Sequence, residues 1–132
     1  MNINELSKEA HKNAVAHGWW EEERPFAELV ALMHSELSEA LEEYRDGRKL
    51  DEVYYYCKFS KEEVSEGGWG CEKQPECNEC EYGKPEGIPI ELADAVIRIF
   101  DTCGKYGIDL NKAIRLKMEF NRNRPYKHGK KI

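Results

Sequence analysis

Apolar residues recur at three- and four-residue spacing in the first third of the chain, which is the pattern of amphipathic helices. One such stretch covers residues 2–17 and is followed by Gly18, a residue that favours helix ends. A second begins after Pro25, which is common in the first turn of a helix, and continues to about Arg45. We therefore predict two helices here. The apolar stripe of the second consists of Phe26, Leu29, Val30, Leu32, Met33, Leu37, Ala40, Leu41 and Tyr44.

The same periodicity returns in the last third of the chain. Residues 88–106 predict a third helix, and Gly104 and Gly107 bracket its end. Asp109 is a suitable N-cap for a fourth helix, which extends at least to Phe120. The apolar positions of the third helix are Ile88, Leu92, Ala95, Val96, Ile99, Phe100 and Cys103.

Residues 47–87 have a different character, with three consecutive tyrosines, glycine and proline breakers, and four cysteines. A connection of this length is uncommon inside a compact domain unless something organises it. We interpret the segment as a cysteine-rich insertion that joins the second and third helices. The last residues, 122–132, form a basic tail.

Length and composition favour one all-α domain covering residues 1–132, because 40% hydrophobic and 35% charged residues are typical of amphipathic helices. Four apolar stripes are few for one core, so we expect a homodimer or homotetramer that completes the bundle. The net charge of -6 argues against binding to nucleic acid polymers. No export signal or membrane span is apparent, so a cytoplasmic protein without membrane contact is expected.

Two pairs of acidic residues lie within the apolar stripes of the second and third helices. Glu36 and Glu39 are three residues apart, as are Glu91 and Asp94, so each pair lies on one helix face. Exposed helix flanks also carry glutamates, and Glu42 is an example. Buried carboxylates, however, need a cation, and oxygen-only ligands favour Mg²⁺.

A second group of polar residues lies near the C-terminus. Lys117, Asn121 and Arg124 follow one another at the spacing of a single helix face, and all three side chains donate hydrogen bonds that suit phosphate oxygens. Basic residues at a helix C-terminus also interact favourably with the helix dipole. That alternative accounts for some of the lysines and arginines, although it does not account for Asn121.

Trp19 and Trp20 lie where the first two helices meet, and two interpretations are open for them. They either pack between helices, which we favour, or present a stacking surface for a base. Arg98 and Asp101 continue the acidic stripe of the third helix, and an ion pair that neutralises that face is the simpler interpretation for them.

Four cysteines of the insertion are enough for a tetrahedral zinc site, with a CxxC pair preceded by two further thiols. Structural zinc is the interpretation we favour, and free or redox-active thiols and disulfides are the alternatives. Cys103 lies on the apolar face of the third helix and is expected to be inert core. The predicted zinc ligands are Cys57, Cys71, Cys77 and Cys80.

The two acidic motifs, the flanking segments HSELSEALEEYR and IPIELADAVIRI, and the late segment KMEFNRNRPYKHGKK resemble the MazG-like branch of the all-α nucleoside triphosphate pyrophosphohydrolases. The resemblance covers residues 1–46 and 88–131. It implies a four-helix-bundle-type domain that hydrolyses a (d)NTP to the monophosphate and pyrophosphate with Mg²⁺. The cysteine-rich insertion departs from compact members of the family.

Carried over by the resemblance, Glu36, Glu39, Glu91 and Asp94 match the metal ligands of the family. Lys117 and Asn121 match its phosphate-contacting residues, and Arg124 is a looser match. Among the acids, Glu39 is our candidate for the group that orients or deprotonates the attacking water. The alternative function is a non-catalytic helical interaction module, in which the acids are surface charge and a zinc knuckle binds the partner.

Overall fold

The computed structural model describes residues 2–57, 61–65 and 83–126. The chain divides into two compact units. We call Phe26–Val96 the acidic unit, and Met1–Pro25 together with Ile97–Ile132 the terminal unit. Each unit is described separately below. The single domain expected from the chain length stays a prediction.

Four helices are present, as the apolar spacing predicts: α1 (Ile3–Ala16), α2 (Phe26–Arg45), α3 (Ile88–Tyr106) and α4 (Leu110–Arg122). Caps explain where two of them begin, and the cap at Asp109 is the one that the sequence predicts. Asn2 and Glu5 form a reciprocal capping box at α1, and the Asp109 side chain accepts a hydrogen bond from the Lys112 backbone N–H at α4. None of the helices in the described ranges is long and apolar enough to cross a membrane.

The insertion contains a small antiparallel sheet, which corrects the all-α prediction. Strand β1 (Tyr54–Cys57) is central and pairs with β2 (Glu62–Val64) on one side and β3 (Lys84–Glu86) on the other. Pro85 lies in the edge strand β3, where its missing N–H is tolerated. The protein is therefore mostly helical with a three-stranded sheet between α2 and α3. Cys57 and Val64 form a small buried cluster on this sheet, and Tyr55 packs against it.

In the acidic unit, one carboxylate lies in the middle of the buried face of each helix. On α2 the buried residues are Leu29, Glu36 and Ala40, and on the first turns of α3 they are Ile88, Glu91 and Ala95. Both sets recur at the spacing of one helix face. The apolar stripes predicted from the sequence are consequently rotated, because Leu37, Leu41, Tyr44, Leu92 and Val96 are exposed in the single chain.

Gly87 joins strand β3 to helix α3 through a close backbone contact. Its φ is +120°, and a Cβ at this position would lie 2.3 Å from the Glu52 carbonyl oxygen. Only glycine fits such an approach. The Gly87 carbonyl accepts hydrogen bonds from the backbone N–H groups of Ile90 and Glu91, at 3.1 and 3.0 Å. This turn therefore fixes where α3 begins and where Glu91 lies.

In the terminal unit, the N-terminal segment is tied to α4 by Asn4. Its side-chain amide donates to Asp109 Oδ1 at 2.8 Å, and its Oδ1 accepts from the Asn111 backbone N–H at 3.1 Å. Gly104 allows α1 and α3 to pack closely, because a Cβ there would lie 2.6 Å from the Ser7 carbonyl oxygen.

Asp101 is a buried acid of the terminal unit with two side-chain partners. Its Oδ1 lies 2.8 Å from His11 Nδ1 and accepts the Trp20 indole N–H at 2.9 Å. Trp20 thus serves packing, as favoured from the sequence. The Trp19 ring lies against the guanidinium groups of Arg24 and Arg98, at 3.8 and 5.1 Å from the ring centroid. Asp101 is therefore stabilised by His11 and Trp20, and the ion pair with Arg98 stays a prediction.

Candidate metal centre

Three of the four predicted metal ligands come together in the acidic unit. Glu36 from α2 and Glu91 and Asp94 from α3 each place a carboxylate oxygen within 4.8 Å of the others. Glu36 and Glu91 are only 7% and 6% exposed. Because each lies on the buried face of its helix, the packing of α2 against α3 brings the oxygens together.

Glu91 provides the strongest sign that a cation belongs here. Its Oε2 atom is buried and has no hydrogen-bond partner among the described residues. Burial raises the pKa of the Glu91 carboxyl to about 8, with further contributions from a hydrogen bond to Glu39 and from the charges of Glu39, Asp94 and Glu36. Ionising a buried carboxyl group that has one unpartnered oxygen costs free energy, and a bound cation offsets that cost.

The chemistry of the donor atoms suits Mg²⁺. All three donors are hard oxygens, which Mg²⁺ prefers. Two oxygens on opposite sides of a Mg²⁺ ion are about 4.2 Å apart, since each bond is about 2.1 Å long. Neighbouring oxygens in the same octahedron are only about 3.0 Å apart, so the three oxygens, which lie within 4.8 Å of one another, would have to draw closer to bind such an ion.

Glu39, the fourth predicted ligand, has a different position from the other three. It is exposed, and its interaction with Glu91 contributes to the raised pKa of the Glu91 carboxyl. It is therefore next to the triad of Glu36, Glu91 and Asp94 and open to solvent. That position suits a group that exchanges protons.

A second acidic group shares Glu91 with the first and was not predicted as a site. Glu43, Glu86 and Glu91 also place carboxylate oxygens within 4.8 Å of one another. The Tyr54 hydroxyl donates to both oxygens of Glu43, at 2.8 and 3.0 Å. Burial, followed by the interaction with Glu43, raises the pKa of Tyr54, so the phenol remains a donor.

The positively charged side chain of Lys84, in the insertion, contacts this second group of carboxylates. Lys84 Nζ lies 3.2 Å from Glu86 Oε1. No spacing rule could have predicted that Glu86 and Lys84 lie here, because the Gly87 turn separates them from the helical register of α3. The closest sequence signal is their position immediately before an acidic helix.

The chain matches no family model, no curated protein and no solved structure. The resemblance to MazG-like enzymes therefore rests on the motifs themselves. The activity that it implies is treated below as a proposal.

The three predicted phosphate-binding residues belong to the terminal unit. Lys117 and Asn121 are exposed on α4, as expected. Arg124 lies beyond the end of α4 at Arg122, which corrects its assignment to the same helix face. Its guanidinium group and the Lys117 ammonium both lie near the Phe120 ring. Their role toward a phosphate stays a prediction.

The sulfur of Cys57 is disulfide-bonded, and Cys57 is almost completely buried. This is one of the alternatives to zinc that the sequence left open, since a disulfide sulfur is not a thiolate and does not bind zinc. The disulfide thus corrects the assignment of Cys57 as a zinc ligand. Cys71, Cys77 and Cys80 lie outside the described residues, so their binding of zinc stays a prediction. Cys103 is a buried free thiol whose pKa is raised by burial, as expected of inert core.

Thiol titration distinguishes the two states of the insertion. The disulfide at Cys57 predicts that the unfolded, unreduced protein in a chelator shows at least two fewer reactive thiols than the five cysteines of the chain. Zinc bound by four thiolates predicts that all five react and that zinc is released in about one equivalent. Cys57→Ser should release one new thiol only if the disulfide is present.

Glu91 predicts a pH dependence for the metal-free protein. Its pKa in the folded state lies near 8 and its ordinary value is 4.5, so the folded state holds this proton more tightly. The stabilisation is complete below pH 4.5 and is lost as the pH rises through 8. We expect the thermal midpoint measured in a chelator to fall between pH 5 and pH 9, and to fall less in Glu91→Gln. An equal slope in both proteins would contradict the assignment.

Proposed function

We propose that the protein is a Mg²⁺-dependent nucleoside triphosphate pyrophosphohydrolase. The observation that carries the proposal is the triad of buried Glu36, buried Glu91 and half-buried Asp94, in which one oxygen of Glu91 has no hydrogen-bond partner among the described residues. Structural helices rarely bury carboxylates in this way without a cation. The resemblance of the two acidic motifs to MazG-like enzymes supports the same reaction.

In this proposal Glu36, Glu91 and Asp94 hold the magnesium. A bound Mg²⁺ neutralises charge on the triphosphate and lowers the pKa of a coordinated water. Glu39, exposed beside Glu91, accepts the proton of the attacking water. The water oxygen bonds to the α-phosphorus and the bond to the bridging oxygen breaks, which yields a nucleoside monophosphate and pyrophosphate.

Lys117, Asn121 and Arg124 have a supporting role in the proposal. Each donates hydrogen bonds, and ammonium and guanidinium groups add charge to those bonds, so all three suit phosphate oxygens. Asn121 has no role in satisfying a helix dipole, which makes it the most informative of the three to replace. We assign these residues to the substrate and none of them to the metal.

The test is release of pyrophosphate from a panel of ribonucleoside and deoxyribonucleoside triphosphates, with and without Mg²⁺. We expect equal amounts of pyrophosphate and monophosphate from at least one substrate, only when Mg²⁺ is present. Calorimetry should show Mg²⁺ binding to the protein alone. Absence of both turnover and Mg²⁺ binding would refute the proposal and favour the non-catalytic interaction module.

We also propose that the protein self-associates through the acidic unit. Leu37, Leu41 and Tyr44 follow one another along one face of α2 and are 50%, 48% and 59% exposed. Leu92 and Val96 are similarly exposed on α3. The buried apolar residues of the described chain are few and small, and a second copy would complete this core.

Sedimentation velocity tests the proposed self-association. We expect the wild-type protein to be a dimer or tetramer at micromolar concentration. Leu41→Glu should shift it toward the monomer, because a charge on this face would have to be desolvated in the interface. A wild-type protein that remains monomeric at about 100 µM would argue against the apolar face as an interface.

A further inference from the structure

Lys84 is a cation that the insertion brings to the acidic cluster. It lies in the edge strand β3, and pairing with the central strand β1 fixes the strand, with Lys84 opposite Tyr56 and Glu86 opposite Tyr54. The ammonium lies 3.2 Å from Glu86 Oε1. Glu86 in turn places an oxygen within 4.8 Å of oxygens of Glu43 and Glu91. Glu86 thus contacts Lys84 and also lies close to Glu91, a ligand of the proposed metal centre.

The Lys84 side chain is 69% exposed, whereas that of Glu86 is only 17% exposed. Because Glu86 is largely shielded from solvent and lies beside other carboxylates, the Lys84 ammonium offsets part of their negative charge. The interaction with Glu86, followed by the charges of Glu91 and Asp94, raises the pKa of the Lys84 ammonium. The lysine therefore keeps its proton, and its charge acts on two ligands of the metal centre.

The positive charge of a lysine beside a magnesium centre has two opposite effects on binding. It opposes the binding of a free divalent cation through like charge, and it attracts an anionic ligand of that cation. The lysine ammonium has three hydrogen-bond donors on a flexible four-carbon stem. It can therefore keep its ion pair with Glu86 and also donate to a phosphate oxygen.

We propose that Lys84 is a substrate-binding residue whose ammonium, beside the carboxylates of the metal centre, donates to a phosphate oxygen of the magnesium-bound nucleoside triphosphate. The inference rests on the proposed function, because it assigns part of the same site. It gives the insertion a role in substrate binding, through a residue that neither acidic motif contains.

The proposal predicts that Lys84→Met strengthens the binding of Mg²⁺ alone and weakens the binding of the nucleoside triphosphate. Removing the charge in Lys84→Met should tighten binding of Mg²⁺ alone by about threefold, since a repulsive charge is lost. The same substitution should raise KM for the preferred nucleoside triphosphate by about tenfold at saturating Mg²⁺, since a charged hydrogen bond to phosphate is lost. A purely structural role would weaken both or leave both unchanged.

The experiment measures Mg²⁺ affinity by calorimetry and KM and kcat by pyrophosphate release in four proteins. These are wild type, Lys84→Met, Lys84→Arg and Lys49→Met. Lys84→Arg keeps the charge and should restore both values to within about twofold of wild type. Lys49 belongs to the same unit, and its charge acts on Glu52, so Lys49→Met is the matched control. Thermal midpoints check that each variant folds.

Tighter Mg²⁺ binding with a raised KM in Lys84→Met alone would establish the role. Weaker Mg²⁺ binding, or an unchanged KM, would overturn it. A second equivalent of Mg²⁺ bound by Glu43, Glu86 and Glu91 in the wild type would also overturn it, because the metal would then take the place of the ammonium. If the wild type neither binds Mg²⁺ nor releases pyrophosphate, the proposed function itself has failed.

Discussion

Glu36→Gln and Asp94→Asn should each reduce turnover of the preferred nucleoside triphosphate by at least about 100-fold, while the helical circular dichroism stays at the wild-type level. Each substitution replaces a carboxylate of the triad by an amide of nearly the same shape. Packing around the helices is therefore kept, and a charged metal ligand is lost. The measurements are pyrophosphate release and Mg²⁺ binding by calorimetry on the same protein samples.

The matched control is Glu42→Gln. Glu42 is exposed on α2 and forms an ion pair with Arg45 at 2.7 Å on the helix surface. It carries the same charge as Glu36 and is six residues further along the same helix, but it contributes no oxygen to the triad. We expect activity within about twofold of wild type. If Glu36→Gln and Glu42→Gln behaved alike, the assignment of Glu36 to the metal would be wrong.

Gly87→Ala should destabilise the acidic unit by about 2–4 kcal/mol and weaken Mg²⁺ binding at the same time. The added methyl group meets the Glu52 carbonyl oxygen at 2.3 Å, and the φ of +120° is unfavourable for alanine. Relief of this contact has to move the first turn of α3, which carries Glu91. Denaturant unfolding and calorimetry measure the two effects.

Gly47→Ala separates backbone strain from the collision. Gly47 also has a positive φ, of +89°, but no heavy atom lies within 4 Å of the position of its Cβ. We expect a loss of about 1 kcal/mol with Mg²⁺ binding unchanged. Equal effects of the two substitutions on Mg²⁺ affinity would show that the close contact at Gly87 does not position the site.

The helices were predictable because their signals are local. Spacing of apolar residues, the cap at Asp109 and the breakers at Gly18 and Gly47 depend only on neighbours in the chain. The sheet was not predictable in the same way, since β1 and β3 are separated by a long segment and their pairing is not encoded in either strand alone. Pro85 further hides β3, because proline lowers the strand propensity of a three-residue segment.

The periodicity of apolar residues does not decide which face of α2 or α3 is buried. Apolar spacing correctly predicts a helix, but it favoured Leu37 and Leu41 for the core over Glu36. The structure buries Glu36 with Leu29 and Ala40 instead. Physically, a buried carboxylate is unfavourable unless a cation joins it, and a sequence pattern that ranks residues by hydropathy takes no account of that cation.

Chemistry predicted the triad better than periodicity predicted the core. The paired acids at Glu36 and Glu91 were recognised from their spacing within apolar stretches, and the structure brings them together. The positions of Glu86 and Lys84 could not be predicted, because they reach the cluster through the turn at Gly87 and not through a helix face. The sequence shows Tyr54 only as one of three consecutive tyrosines, and its hydrogen bonds to Glu43 could not be predicted.

The pairing of Tyr54 with Glu86 has a consequence for the engineering of the insertion. Because Tyr54 and Glu86 are opposite each other in the sheet, the segment between them begins and ends at neighbouring positions beside the acidic cluster. The free energy of closing the intervening segment grows only with the logarithm of its length. Because β2 also pairs with β1, a shorter linker or a fused reporter domain should be accepted after β2 and before β3, while α2 and α3 keep their spacing.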